Sequence, residues 1–243
     1  MNFYIRQKLR GFYFKLIGKP HLTSSDSYIN WLRKKGIKIG RGTIIRNTQN
    51  IHIDIQRPEL IEIGDNVLLH SGTTILNHDF ASRAFINAFS DYIPSHSKIK
   101  IGNNVWLGQN VSILKGVTIG DNVIIGYGSI VTRSIPSNSI AVGCPAKVIG
   151  SFTDYYQRRK KDYIEDSINL ALAIYDSGRT PTIKDFERDY PAFVDGSNYK
   201  EYDFDYFREF TPTQFEQWKL NHHAPFHGFD EFMKVVNAKK YAQ

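Results

Sequence analysis

Aliphatic residues recur at every sixth position along two stretches of this 243-residue chain. Ile63, Leu69 and Ile75 form the first run; Ile101, Leu107, Ile113, Ile119, Ile125 and Val131 form the second. Glycine directly follows several anchors, in "IGDN", "IGNN", "LGQN" and "IGYG", and a small or β-branched residue such as Val67, Thr73, Val105, Val111 or Ser129 stands four places after each. An α-helix turns every ~3.6 residues, so anchors six apart would drift around it, and the Gly, Val and Ile content also opposes helix. Short strands joined by tight corners fit the pattern, with each anchor pointing inward and glycine where the backbone is most crowded. Three such units make one coil of a triangular prism. Stacked coils bury a column of Ile, Leu and Val, so the spacing predicts a parallel β-helix. Ordinary antiparallel hairpins would also use Gly-Asp-Asn turns, but they do not demand one anchor spacing held in one phase.

A weaker copy, "IKIGRGTIIRNTQNIHI" with anchors Ile39, Ile45 and Ile51, places the start of the prism near residue 37, and Arg57-Pro58 breaks the first coil from the next. The rhythm stops at "ILNHDF" and resumes at Ile101 in a new register, which leaves residues 77–98 as a protruding loop with His78 at its root. After Gly150 the hexads end and helical patterns begin. "YIEDSINLALAIYDSG" is closed by Gly178, and "FTPTQFEQWKLNHH" has Thr211 as N-cap with Pro212 at the first helical position. Three segments are therefore expected: an N-terminal helical, basic and aromatic segment over 1–36, the β-helix over 37–150, and a mainly helical C-terminal extension over 151–243.

Charge changes the picture unevenly. Residues 1–150 carry 18 Lys/Arg against 8 Asp/Glu, whereas 151–243 carry 13 against 16. The basic part suits a phosphorylated cofactor, anionic lipid or nucleic acid. Without a helix-turn-helix, zinc-finger or RNP signature, nucleic acid is not expected as a partner. One cysteine, Cys144, excludes an internal disulfide and suits a reducing compartment, so a cytoplasmic location is expected. Residues 1–20, "MNFYIRQKLRGFYFKLIGKP", lack the unbroken apolar stretch of a signal peptide. They suit either packing against the prism base or peripheral contact with the inner face of a membrane. "RRKK" at 158–161 reads as a solvated helix face.

Residues 99–149, "IKIGNNVWLGQNVSILKGVTIGDNVIIGYGSIVTRSIPSNSIAVGCPAKVI", closely resemble the hexapeptide-repeat acyltransferases, in particular the branch of galactoside, maltose and xenobiotic O-acetyltransferases. With "IGDNVLLHSGTTILNHD" the likeness covers roughly residues 60–150. It implies a left-handed parallel β-helix, a homotrimer with sites between neighbouring subunits, acetyl-CoA as acyl donor with no metal, and a saccharide hydroxyl as acceptor. It also makes His78, just before the extended loop, the general base that takes the acceptor's proton as the oxygen attacks the thioester. Asp79 is the neighbouring candidate for orienting the ring. The resemblance puts Trp106 on the acceptor or pantetheine wall, or alternatively on the trimer seam. "WLGQ", with Gly108 and Gln109, supplies the oxyanion amide; Gly126-Tyr127 and Thr132-Arg133 contact CoA, and Lys147 its phosphate. Tyr127 stands where the family usually has a small residue, and Gly150 where it often has a basic one. Cys144 is expected to pack in its turn, not to act as a nucleophile.

Other chemistries remain open on the residues alone. They are N-acetylation of a nucleotide-linked amino sugar, a metal-dependent lyase using interface histidines, and a noncatalytic glycan-binding module. The close histidine pair of the lyases is absent, and His222, His223 and His227 lack the partners of a metal site.

Overall fold

The computed structural model describes residues 18–241 together with Tyr13 and Leu16. The expected membrane contact of residues 1–20 therefore falls largely outside the described residues. The chain forms two compact units, residues 1–155 and 156–243.

The first unit opens with helix α1 (Ser25–Lys35). The Ser24 hydroxyl caps it by accepting from the Ser27 N–H at 3.1 Å, and Gly36, at φ 109°, ends it. Tyr28, Ile29 and Leu32 on its inner face are buried in the same cluster as Ile37 and Ile45. The chain then lays down β1 (Lys38–Ile39), β2 (Ile44–Ile45) and β3 (His52–Ile53), followed by β4 (Ile61–Ile63), β5 (Leu68–Leu69) and β6 (Thr74–Leu76). After the two-strand ribbon β7 (His78–Asp79) and β8 (Ser95–His96) come β9 (Ile99–Ile101), β10 (Val105–Leu107), β11 (Ser112–Leu114), β12 (Thr118–Ile119), β13 (Val123–Ile125) and β14 (Ile130–Val131). The first sheet has the order β1-β4-β9-β12, the second β13-β10-β5-β2 with β15 (Ser139–Gly143) and antiparallel β16 (Ala146–Ser151) beyond β13, and the third β14-β11-β6-β3. The chain thus visits three parallel sheets in strict rotation.

The register explains the hexads. Ile101 pairs with Ile119, Leu107 with Ile125 and Ile113 with Val131. One circuit is therefore three hexads, and all six of these side chains are buried. Where glycine follows an anchor, a side chain would crowd the next circuit: a Cβ on Gly64 would lie 2.5 Å from the Gly102 carbonyl oxygen. The next turn position is left-handed, at φ 56° for Asn66, 53° for Asn104, 54° for Asn122 and 58° for Asn138. Asparagine tolerates that region better than other side chains. It also bonds to its copy in the next circuit, Asn104 Nδ2 donating to Asn122 Oδ1 at 2.8 Å and Asn122 Nδ2 to Asn138 Oδ1 at 2.9 Å.

Two details depart from the sequence reading. In the first circuit Ile53, not Ile51, takes the inward place opposite Ile75, because the 3₁₀ turn Thr48–Asn50 adds residues between β2 and β3. The loop 77–98 is also ordered: β7 and β8 pair antiparallel, His78 opposite His96, and helix α2 (Ser82–Phe89) fills its tip. Buried Asn77 fixes its root by donating Nδ2 to the Arg57 carbonyl at 2.7 Å, while its own carbonyl accepts from the Ser97 N–H at 2.9 Å.

The second unit contains α3 (Phe152–Asp176), whose residues from 156 onward belong to it, α4 (Pro212–Asn221) and α5 (Phe229–Lys240). Thr211 and Gln214 form a reciprocal capping box at the start of α4, and Pro212 is its first residue. The core is aromatic, with Phe186, Phe193 and Phe232 fully buried.

On the first sheet Glu62 receives Lys38 at 3.0 Å and Lys98 at 2.9 Å, tying the first two circuits to the end of the loop. Hydrogen bonds from Lys98 and Lys38 hold its carboxyl at about 2, below the ordinary 4.5. Stabilisation from a depressed carboxyl is complete above the ordinary value and is lost as pH falls through the folded one. The melting-temperature difference between native protein and Glu62→Gln should therefore close as pH falls from 4.5 to about 2. Asn77→Ala should cost about 0.5–1.5 kcal/mol in urea denaturation, because it removes the side-chain bond to the Arg57 carbonyl, which keeps only the Leu60 N–H at 3.1 Å.

Candidate active site

Where the third sheet turns toward the first, successive circuits set down Asp54, then His78, then Lys115, then Thr132 and Arg133. Parallel pairing of β3 with β6 aligns Ile53 with Ile75, so Asp54 and His78 approach although 24 residues separate them. Oδ2 of Asp54 meets Nδ1 of His78. Both side chains are enclosed, Asp54 at 4% exposure and His78 at 12%. The other oxygen of Asp54 accepts the Gln56 N–H at 3.0 Å, which fixes the carboxylate plane. A carboxylate on Nδ1 selects the tautomer in which that nitrogen carries the proton, leaving a lone pair on Nε2. Nε2 is buried and has no hydrogen-bond partner. The ring of Phe80, itself 71% exposed, stands edge-on to the imidazole at 4.8 Å between centroids.

Asp79 does not orient the histidine. Its carboxylate pairs with Lys115, which also reaches Ser95 Oγ, and the Lys115 ammonium holds that carboxyl below the usual carboxylate range. Neighbouring residues on a strand point to opposite sides, so His78 and Asp79 diverge. Lys115 instead staples the two strands of the ribbon to the next circuit. Asp54 and Lys115 are the two site residues that the sequence reading missed. The signal for them was the alignment of circuits: Leu76 pairs with Leu114, which sets Lys115 level with the loop root.

The remaining candidates lie elsewhere on the same chain. Trp106 is on the outer face of the second sheet, 38% exposed, with the ring of His70 edge-on at 5.4 Å. Burial, with the charge of Arg46, keeps His70 below the usual histidine range. Gly108 and Gln109 occupy the corner between the second and third sheets, beneath Gly126 and Tyr127. There the Gly128 N–H donates to the Gln109 carbonyl at 2.9 Å, and a Cβ on Gly108 would lie 2.9 Å from the Tyr127 nitrogen. Tyr127 turns outward, 72% exposed, and its hydroxyl accepts from Asn110 Nδ2 at 3.2 Å. Lys147 is exposed on β16, opposite Val142. Exposed Cys144 donates its thiol to the Gly128 carbonyl at 3.1 Å. A single chain thus gathers His78, Thr132 and Arg133 along one corner and Gly108, Gln109, Gly126 and Tyr127 along another.

Among the described residues no cluster of three His, Cys, Asp or Glu side chains is arranged to hold a metal ion. No helix among them is long and apolar enough to cross a membrane.

Residues 98–133 match the model of the bacterial transferase hexapeptide family (six repeats). The chain is 39% identical over 123 residues to galactoside O-acetyltransferase of Escherichia coli K12, an alignment covering 48% of this chain and 55% of that protein. It is 37% identical over 123 residues to the putative lipopolysaccharide biosynthesis O-acetyl transferase WbbJ of the same organism, covering 46% and 63%. It thus spans little more than half the length of these curated relatives. Among solved structures, galactoside acetyltransferase in complex with coenzyme A aligns at 29% identity and TM-score 0.41, covering 63% of this chain and 82% of that one. The repeats of residues 98–133 are thus those of the bacterial transferase hexapeptide family, and over about half its length the chain is similar to these O-acetyltransferases.

Proposed function

We propose that the protein is an O-acetyltransferase that moves an acetyl group from acetyl-CoA to a saccharide hydroxyl, with His78 as general base and Asp54 as its positioning residue. The observation that carries this reading is the buried imidazole anchored through Nδ1 to Asp54 with Nε2 unpartnered. A buried polar atom without a partner costs free energy, and a substrate hydroxyl donating to Nε2 would restore the missing bond. The names of the relatives, O-acetyltransferases acting on a galactoside or in lipopolysaccharide biosynthesis, support the acetyl group and the saccharide class.

The chemistry then runs in one displacement. Nε2 accepts the hydroxyl proton as the oxygen attacks the thioester carbonyl; the C–S bond breaks; the imidazolium returns its proton to the departing thiolate. The products are an O-acetyl ester and CoA thiol. Asp54 stabilises the imidazolium that exists between the two transfers. Because Nε2 is enclosed, the acceptor must displace a neighbour, and Phe80 is the most exposed group against the ring.

The reading includes a left-handed β-helix assembled as a homotrimer. Support for more than one copy comes from the separation of the two corners. A thioester held near Gly108, Gln109, Gly126 and Tyr127 meets His78 most directly if those groups come from a neighbouring chain, which also supplies the oxyanion amide near Gln109. Arg133 and Lys147 are the cations assigned to the phosphates of CoA, and Trp106 is the wall of the groove.

His78→Ala should lower kcat for acetyl transfer to a galactoside by roughly 10²–10⁴, with CoA binding retained in titration calorimetry. Asp54→Asn should lower kcat less and change its pH profile, since the carboxylate that stabilises the imidazolium is gone. Undiminished transfer by His78→Ala, or turnover of amino sugars with none of hydroxyl acceptors, would overturn the reading.

A further inference from the structure

The second unit contains a trough of about 550 Å³, within the size range of small-molecule sites. One stripe of α3 forms its first wall. Tyr156, Arg159, Lys160 and Tyr163 fall at i, i+3, i+4 and i+7, so a run that reads as a solvated basic face instead divides, with Arg159 and Lys160 on the trough side. The second wall comes from the end of α4, with Trp218 and Asn221, followed by His222. Arg188 and Asp189 close the third side.

This surface is held in place from behind. The Nε2–H of His222 donates to the Pro191 carbonyl at 2.8 Å, and the imidazole stacks on Trp218 at 5.1 Å and 15°. The Tyr163 hydroxyl reaches the same carbonyl at 3.5 Å, and the Ser167 hydroxyl donates to Asp189 at 3.0 Å. Burial keeps His222 below the usual histidine range, against the Pro191 carbonyl and Asp195, which act the other way. Burial also pushes the Asp189 carboxyl up. The positive charge at the trough comes from Arg159, Lys160 and Arg188, against Asp166 and Asp189.

Such walls combine two recognition chemistries. Guanidinium and ammonium groups lining one trough from two elements suit an anion. An exposed aromatic ring, Tyr156 at 54%, in the same trough as the amide of Asn221 suits a polyhydroxylated ring, whose C–H face packs on an aromatic while its hydroxyls bond to an amide. One ligand class satisfies both.

We infer that this trough binds a saccharide carrying a phosphate or a carboxylate. The test is calorimetric titration of the full chain with galacturonate hexamer, phosphorylated maltohexaose, neutral maltohexaose and inorganic phosphate. At least one acidic hexamer should bind at least tenfold more tightly than neutral maltohexaose and than phosphate alone, and the one that does identifies the anionic group. The double variant Arg159→Ala/Lys160→Ala, altered only at exposed helix positions, should keep its circular dichroism and melting temperature and lose that affinity at least tenfold. His78→Ala should bind as the native protein does. Equal binding of neutral and acidic hexamers, or unchanged affinity in both the double variant and Arg188→Ala, would overturn the inference. Transfer that survives in His78→Ala would defeat the catalytic reading and leave these titrations untouched.

Discussion

At the corners that follow Ile63, Ile101 and Ile119, the backbone of one circuit lies directly on that of the next, and a side chain would collide with it. The carbonyl of Gly102 stands where a Cβ of Gly64 would be, and the same crowding recurs at Gly102 beneath Gly120. Everything else in the first unit follows from meeting that constraint at one phase of the chain. Glycine takes the crowded position, asparagine the left-handed one, and an aliphatic residue points inward before them. Since the corner repeats, so do the hydrogen bonds: the Asp65 N–H donates to Asn103 at 2.8 Å, and the Asp121 N–H to Ser137 at 2.9 Å. A fold so regular presents plain faces. The insertion after Asn77 opens one corner, and the proposed site lies there.

That dependence decides what could be read in the sequence. The anchors from Ile63 to Val131 were legible because each sits at a fixed spacing from the next, and His78 was legible because it stands where the spacing fails. Asp54 was not. Its meeting with His78 depends on which residue of the first circuit pairs with Ile75, and the 3₁₀ turn at Thr48–Asn50 moves that partner from Ile51 to Ile53. Lys115 was hidden for a related reason, since only the pairing of Leu76 with Leu114 reveals that it stands beside the loop. In the second unit the cap at Thr211 was plain, whereas the trough was not. Its walls come from segments about sixty residues apart, joined by an aromatic core that has no period.

The two polar anchors at the loop root divide the work. Asn77 holds the backbone, fixing both the break at Arg57 and the return at Ser97. Asp54 holds the imidazole. Lys115, bridging Asp79 and Ser95, keeps the ribbon against the stack without touching the ring. The imidazole is thus held on one side by the buried carboxylate of Asp54 and faces an exposed aromatic, Phe80, on the other.

Helix α1 has a bearing on assembly. A column of parallel strands offers the same unpaired backbone row at its first level as at any other, and would accept a further strand from a second molecule. Here the amphipathic helix lies over that level, with Leu32 sealed against Ile37 and Ile45. Its own backbone groups are satisfied internally, so it offers no template. Over β1 and β2 that end therefore presents a helix, not an open strand edge.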